Sequence, residues 1–275
     1  MESFLRATLV LLPVAYLLTA IDYGALFFLR YPGAQRSAPW LLRGTLLLHF
    51  SHLVVATLRW HQFPAATVPQ ALSVIAFAVA VVYGLVEWQG KERSTGVWTL
   101  ALVFLLQLLS SLLSRPQPPQ PQELFSSPLF TVHVGLAVLG YAAFVISGVY
   151  GFLFLELYRE LKSAHFRVFY GRLPPLEVLE RMLAGSLGVG FVALTGAVVA
   201  GVFWAYTIDY STWLRDTKIL FTLATWLLYG GALLMRRLRR WQGRQTAVAS
   251  LAGLIAILVS LMTVNFFVTG GFHGF

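Results

Sequence analysis

Eight runs of mostly apolar residues decide what this chain can become, because each is about the ~20-residue length that carries a helix through the hydrocarbon of a bilayer. They lie near 7–29, 41–60, 68–88, 97–113, 129–157, 179–207, 216–235 and 245–268. Lipid offers the backbone no hydrogen-bond partner, so runs of this length must close their own bonds as helices. The predicted fold class is an all-α integral membrane protein, a bundle of about eight transmembrane helices. The first run is too long and too apolar for a signal peptide, and no small-residue cleavage site follows it; it reads as a retained helix. Only 11% of the 275 residues are charged, against about 25% in soluble domains, which excludes a water-soluble enzyme. The formal charge of +9 is then a property of the loops, and no nucleic-acid partner is expected.

Eight spans put both termini on one side. The odd connections hold Arg30, Arg36, Arg43, Lys91, Arg93, Arg159, Lys162, Arg167, Arg172, Arg181, Arg236, Arg237, Arg239, Arg240 and Arg244; the other side has Arg6, Arg59, Arg115, Arg215 and Lys218. Fifteen cations against five places the odd connections in the cytoplasm and both termini outside. The run RRLRRWQGR reads as a cytoplasmic anchor that meets anionic lipid headgroups. The whole chain, 1–275, reads as one polytopic membrane domain. It has a Pro- and Gln-rich outer linker at 114–128, expected to be extended and polyproline-like, and a basic cytoplasmic linker at 158–181. In the latter, LPPLEVLERM could open the sixth span, with Pro174 and Pro175 in a first turn.

Ionisable groups inside hydrocarbon are costly and are therefore functional candidates. His49 and His52 sit mid-way along the second run on one helical face. They read as a buried hydrogen-bonded pair or as a metal or haem ligand, with His52 favoured for function. One helix turn cannot supply both axial ligands of a single haem. His61 and His165 fall in loops. Asp22 and Glu87 are expected to be solvated at helix ends or paired with a loop Arg. His133 lies about one turn into the fifth run and His273 just beyond the eighth, so the topology brings both to the outer face. Two imidazoles from different elements at one level are what a bis-imidazole iron site requires. The connection VFWAYTIDYSTWLRDTK lies on the same side, with Trp204, Tyr206, Tyr210, Trp213, Asp209 and Asp216. It reads as an interfacial aromatic belt or as a shelf for a flat porphyrin, whose propionates could meet Arg215 and Lys218. Gly185, Gly188, Gly190, Gly196 and Gly201 give the sixth run a small face, suited to close helix packing.

No Walker, dinucleotide or HExxH motif is present, and nothing resembles a nucleophilic triad; the chain does not read as an enzyme. Cysteine is absent, which excludes disulfides, thiolate metal sites and covalent c-type haem attachment. Any thiol chemistry must come from a partner.

Several segments carry a family resemblance. HVGLAVLGYAAFVISGVYGFLFL, LPPLEVLERM, LTGAVVAGVFWA, and TWLLYGGALLMRRLRRWQGRQTA with VNFFVTGGFHGF resemble the cytochrome c assembly, haem-handling membrane family of the CcsA/HemX type. The resemblance is close over 129–275 and looser before it. It implies that His133 and His273 flank a WWD-type outer loop and ligate non-covalent, b-type haem, with Trp204, Trp213, Asp216 and Lys218 in the loop. His52 matches one of the family's intramembrane histidines. The loop is degenerate: Asp209 and Arg215 stand where Trp is expected, and Thr217 and Ile219 replace Pro and Glu. Leu234, beside Met235, stands where the second intramembrane His would be.

The resemblance thus implies a haem-handling component of cytochrome c biogenesis, at most part of a synthase complex, in a bacterial cytoplasmic (inner) membrane. Its expected partners are membrane lipid, haem, and an apocytochrome-holding, thiol-reducing assembly partner. Two other readings stay open. One is a HemX-like regulator of haem biosynthesis acting through protein contacts. The other is a b-haem electron-transfer subunit, which the scarcity of intramembrane histidine disfavours.

Overall fold

Each apolar run becomes a helix in a computed structural model that describes residues 1–61, 63–65, 67–90, 92–114, 127–207, 217–239, 241 and 243–267, with only the backbone at 89, 90, 217, 218 and 260–267. The elements are α1 (Glu2–Gly24), which runs into a π-helical turn (Ala25–Leu29), α2 (Pro32–Trp60), α3 (Val68–Gly90), α4 (Gly96–Leu113), α5 (Pro128–Ser163), α6 (Leu176–Thr207), α7 (Thr217–Leu238) and α8 (Gly243–Phe267). Among the described residues there is no strand. α1 with its π turn and α2–α7 are long and apolar enough to cross a membrane, and α8 adds the apolar stretch Gly243–Val259. The protein is therefore a multi-pass, all-α membrane bundle. The linker 114–128 falls almost wholly outside the described residues.

The largest departure from the hydropathy reading is α2, which starts at residue 32 rather than near 41. Pro32 occupies its first turn and Tyr31 its extended N-cap, the position where a missing N–H costs nothing. A helix of 29 residues is about 43 Å long, so its first turns, GAQRSAP, continue beyond the apolar run. α5, at 36 residues, likewise outruns a ~30 Å hydrocarbon core. It stops at Ala164, a left-handed residue with φ 52°.

The chain divides into two compact units, residues 1–126 with 171–174, and residues 127–170 with 175–275. In the first, α1 packs on α2 and α4, and α3 on α4 and α2, closing a four-helix ring. The carbonyls left over at the end of α1 are taken by Arg172, whose guanidinium donates to Phe27 O and Phe28 O, each at 2.9 Å. Large apolar side chains such as Val10, Leu18, Leu47 and Trp88 point outward, as a lipid-facing surface requires. Inside, buried Thr8, Thr19, Thr45, His49, Ser73 and Gln107 tie the helices together.

In the second unit α5 is central, packed on α6 and α8, while α7 leans on α6 and α8. α5 and α6 meet where neither has a side chain. A Cβ built on Gly140 would lie 3.2 Å from Gly190 O, and one on Gly190 would lie 3.1 Å from Gly140 O and 2.5 Å from the Phe144 ring. Phe144 stacks in turn on Tyr229, with ring centroids 3.8 Å apart. This is the small-residue contact that lets membrane helices approach closely. Gly190→Val should therefore lower the thermal unfolding midpoint in detergent, by overpacking worth about 1–3 kcal/mol. Gly185→Val, where a new Cβ meets nothing within 4 Å, should leave the midpoint nearly unchanged; size-exclusion after a heat ramp reads both.

Candidate functional site

The α5–α6 crossing that the glycines permit also seats His133. From α6, positions 197, 201 and 204 project to one face, at i, i+4 and i+7, and each does something different for the imidazole. The carbonyl of Ala197 lies 2.7 Å from His133 Nδ1. A carbonyl can only accept, so Nδ1 carries the proton and Nε2 keeps its lone pair. Gly201 leaves the space the ring occupies: a Cβ there would stand 2.7 Å from Nδ1 and 2.8 Å from Cε1. Trp204 stacks on the imidazole, with centroids 6.2 Å apart and planes 21° from parallel, and packs against Phe130 at 5.1 Å. The ring is thus fixed in position and tautomer, with Nε2 as the atom able to bind a metal.

Trp204 itself is only 4% exposed, whereas its neighbours Phe203 and Tyr206 face outward. One helix end thus presents Trp204 inward, against His133 and Phe130, and Phe203 and Tyr206 outward. Trp213, Asp216 and His273 lie outside the described residues, as do Asp209 and Arg215, and the side chain of Lys218 is not described. Of the predicted outer set, the structure brings together His133 and Trp204.

The first unit holds the other candidates. His49 and His52 project from α2 toward α1 and α3 with ring centroids 6.2 Å apart, yet their bonding differs. Ser73 Oγ donates to Gln107 Oε1 at 3.0 Å, so it accepts from His49 Nε2–H at 2.9 Å. His49 Nδ1 then accepts from the Tyr16 hydroxyl, also at 2.9 Å. Both nitrogens of His49 are spent, in a directed chain across α1, α2, α3 and α4. Among the described residues His52 has one bond, between Nδ1 and Thr8 Oγ1 at 2.6 Å. The single Thr8 proton has Phe4 O and Leu5 O as acceptors, each at 2.9 Å, so Thr8 accepts from Nδ1–H. Among the described residues nothing bonds His52 Nε2. His52 therefore presents the same tautomer as His133, and His49 does not.

The remaining polar groups have structural partners. Glu87, buried in α3, takes bonds from the Tyr23 hydroxyl and from Arg93 Nε at 3.1 Å, the loop-arginine pairing expected for it. Asp22 accepts from Ser37 Oγ at 2.6 Å. His61 is the exposed left-handed C-cap of α2, and the exposed His165 donates from Nδ1 to Ser163 O at 2.7 Å. Among the described residues no group of three or more His, Cys, Asp or Glu could hold a metal ion. Sequence reasoning missed the roles of Gly201 and the Ala197 carbonyl at His133, and of Thr8, Tyr16, Ser73 and Gln107 around the α2 histidines. For the latter, polar residues isolated within apolar runs were the available signal.

Comparison with known proteins gives a consistent match. Residues 37–271 match the family model described as cytochrome C assembly protein. The chain is similar to cytochrome c biogenesis protein CcsA of Porphyra purpurea, 23% identical over 295 aligned positions covering 91% of each chain. It is also similar to CcsA of Gloeobacter violaceus, 25% identical over 92% of this chain and 90% of the relative. CcsA of Synechococcus sp. (strain CC9902) is 27% identical over 83% of this chain and 84% of its own length.

Breaking the His49 chain should weaken the first unit. Tyr16→Phe and Ser73→Ala each should cost about 0.6–1.7 kcal/mol, the range for interhelical hydrogen bonds in membranes, measured as a lower unfolding midpoint in detergent titration.

Proposed function

The chain belongs to the cytochrome c assembly protein family, and from that premise we propose that it holds haem as cargo at the extracytoplasmic face of a bacterial cytoplasmic membrane during cytochrome c biogenesis. The observation that carries this reading is the seat of His133. Its ring is fixed by Ala197 O and stacked on Trp204, with Nε2 left for iron. His273, near the end of the sequence, would supply the second imidazole to the iron. Trp213, Asp216 and Lys218, which the family resemblance assigns to the outer loop, would add an aromatic surface and a cation for a propionate. His52, with Nε2 likewise unspent, is the intramembrane ligand on the haem route.

The protein acts by binding and orienting, and makes no covalent bond itself. Haem brings the vinyl groups and the iron; the chain supplies an imidazole of fixed tautomer and an apolar wall that limits water at the site. With no cysteine of its own, it depends on an assembly partner that holds the apocytochrome and keeps its thiols reduced. The excess of cations in the odd connections supports an orientation with both termini outside.

Purified protein should carry a Soret band in the absorption spectrum. His133→Ala should lower haem affinity by at least roughly tenfold, since even the partners that orient a metal-bound imidazole are worth 10–100-fold, and added imidazole should restore the band. An unchanged spectrum in the His133→Ala, His273→Ala double variant would reject the site. For orientation, alkaline phosphatase fused within 114–128 or 208–216 should be active and within 158–181 inactive; the reverse pattern would invert the topology.

A further inference from the structure

Two cavities lie side by side at the end of the second unit that carries the basic side chains of α5, α7 and α8. One, of about 540 Å³, is lined by Leu155, Tyr158, Arg159, Lys162, Arg244 and Val248. The other, of about 940 Å³, shares Tyr158, Arg244 and Val248 and continues past Phe154, Trp241 and Ala252. We propose that these cavities form a built binding site for one anionic phospholipid, its phosphate held by Lys162 and Arg244 and its acyl chains laid along the apolar wall of α5 and α8.

Charge and shape both favour this occupant. Arg244 is held over the Tyr158 ring, 6.0 Å from its centroid, which fixes the guanidinium at the wall between the two cavities. Among the described residues, neither Lys162 nor Arg244 makes an ion pair with a protein carboxylate. The carboxylates nearby are engaged or set apart. Glu156 pairs with Arg159. Glu180 pairs with Arg236 at 2.8 Å, and both it and Glu177 line the larger cavity and not the smaller one. The smaller cavity therefore keeps two unneutralised cations beside Leu155 and Val248, matching a headgroup with a single negative charge and its first methylenes. Free phosphate would use the cations but not the apolar wall. A macrocycle would find no imidazole among the residues that line either cavity.

Trp241, on the wall of the larger cavity, is a built-in reporter. The full-length protein is reconstituted in phosphatidylcholine vesicles and titrated with dibrominated phosphatidylglycerol or dibrominated phosphatidylcholine, and the signal absent in Trp241→Phe is taken as the quenching of Trp241. The brominated phosphatidylglycerol should quench Trp241 at a mole fraction at least about fivefold lower than the brominated phosphatidylcholine, as roughly one cation near a membrane surface contributes. Lys162→Gln with Arg244→Gln should remove that preference, and Lys162→Arg should retain it. Equal quenching by the two lipids, or a preference that survives in the double glutamine variant, would overturn the proposal. Release of the phosphatidylglycerol signal by micromolar haemin would overturn it in favour of a macrocycle. Helicity and monodispersity of each variant, read by circular dichroism and size-exclusion, separate loss of the site from loss of the fold. A lipid preference without a Soret band would leave this site standing and reject the haem reading, so the two fail independently.

Discussion

Hydrocarbon outside removes the usual reason for helices to associate, since an apolar side chain gains nothing by leaving lipid for an equally apolar interior. Van der Waals contact at close range and hydrogen bonds between helices are left to hold this structure together. The two units lean on these differently. α5 and α6 come together through Gly140 and Gly190, with backbone of one helix against backbone of the other. The first unit is threaded by polar contacts instead: Thr8 to His52, Tyr16 to His49 to Ser73, and Thr19 to Thr45 at 3.0 Å. The candidate histidines sit within these two devices. His133 occupies the space that Gly201 opens on the α5–α6 contact, and His52 is one end of an interhelical bond. Fold and site therefore draw on the same interactions, and weakening either helix contact moves an imidazole.

The helices were legible because spanning length and apolarity are properties of a run of residues that need no knowledge of neighbours. The start of α2 was not, because GAQRSAP is polar and hydropathy is silent on a helix that continues past the apolar run; Pro32 was the available mark. At the site the limit was different. His133 and Trp204 could be named from residue type and level in the membrane, but their relation turns on the carbonyl of Ala197, a backbone atom with no signature in residue identity. His49 and His52 are the sharper case. Spacing alone makes them equivalent, on one face of one helix. They separate only when α1, α3 and α4 bring Tyr16, Ser73 and Gln107 to one and Thr8 to the other, and that depends on the phase of three further helices.

The carboxylates at the helix ends obey a single constraint. Among the described residues, three of these are met by donors: Glu87 by Tyr23 and Arg93, Asp22 by Ser37, Glu180 by Arg236. Glu160, at the end of α5, receives the backbone N–H groups of Arg167, Phe169 and Tyr170 at 2.8–3.2 Å, which folds the start of the 164–175 connection back on the helix. With acids so occupied and cations in excess, the surplus positive charge collects at the ends of α5, α7 and α8. There it can be balanced by phosphate from the membrane itself.

The partners chosen for the two unspent imidazoles bear on what they could do with iron. Histidines that hold a metal commonly pass their second N–H to a carboxylate, a backbone carbonyl or water, which fixes the tautomer, and a carboxylate makes the ring the strongest donor. Here His133 gives its proton to a peptide carbonyl and His52 to a threonine hydroxyl. Both acceptors are neutral, so they fix tautomer and orientation while leaving the ring a weaker base than a carboxylate would. A resident cofactor gains from strong ligation. A cargo that must later move to another protein gains from ligands that are well aimed and only moderately strong, because the same bond has to be broken at release. Under the proposed function, neutral acceptors on Nδ1 suit an imidazole that aims its Nε2 at haem and later releases it.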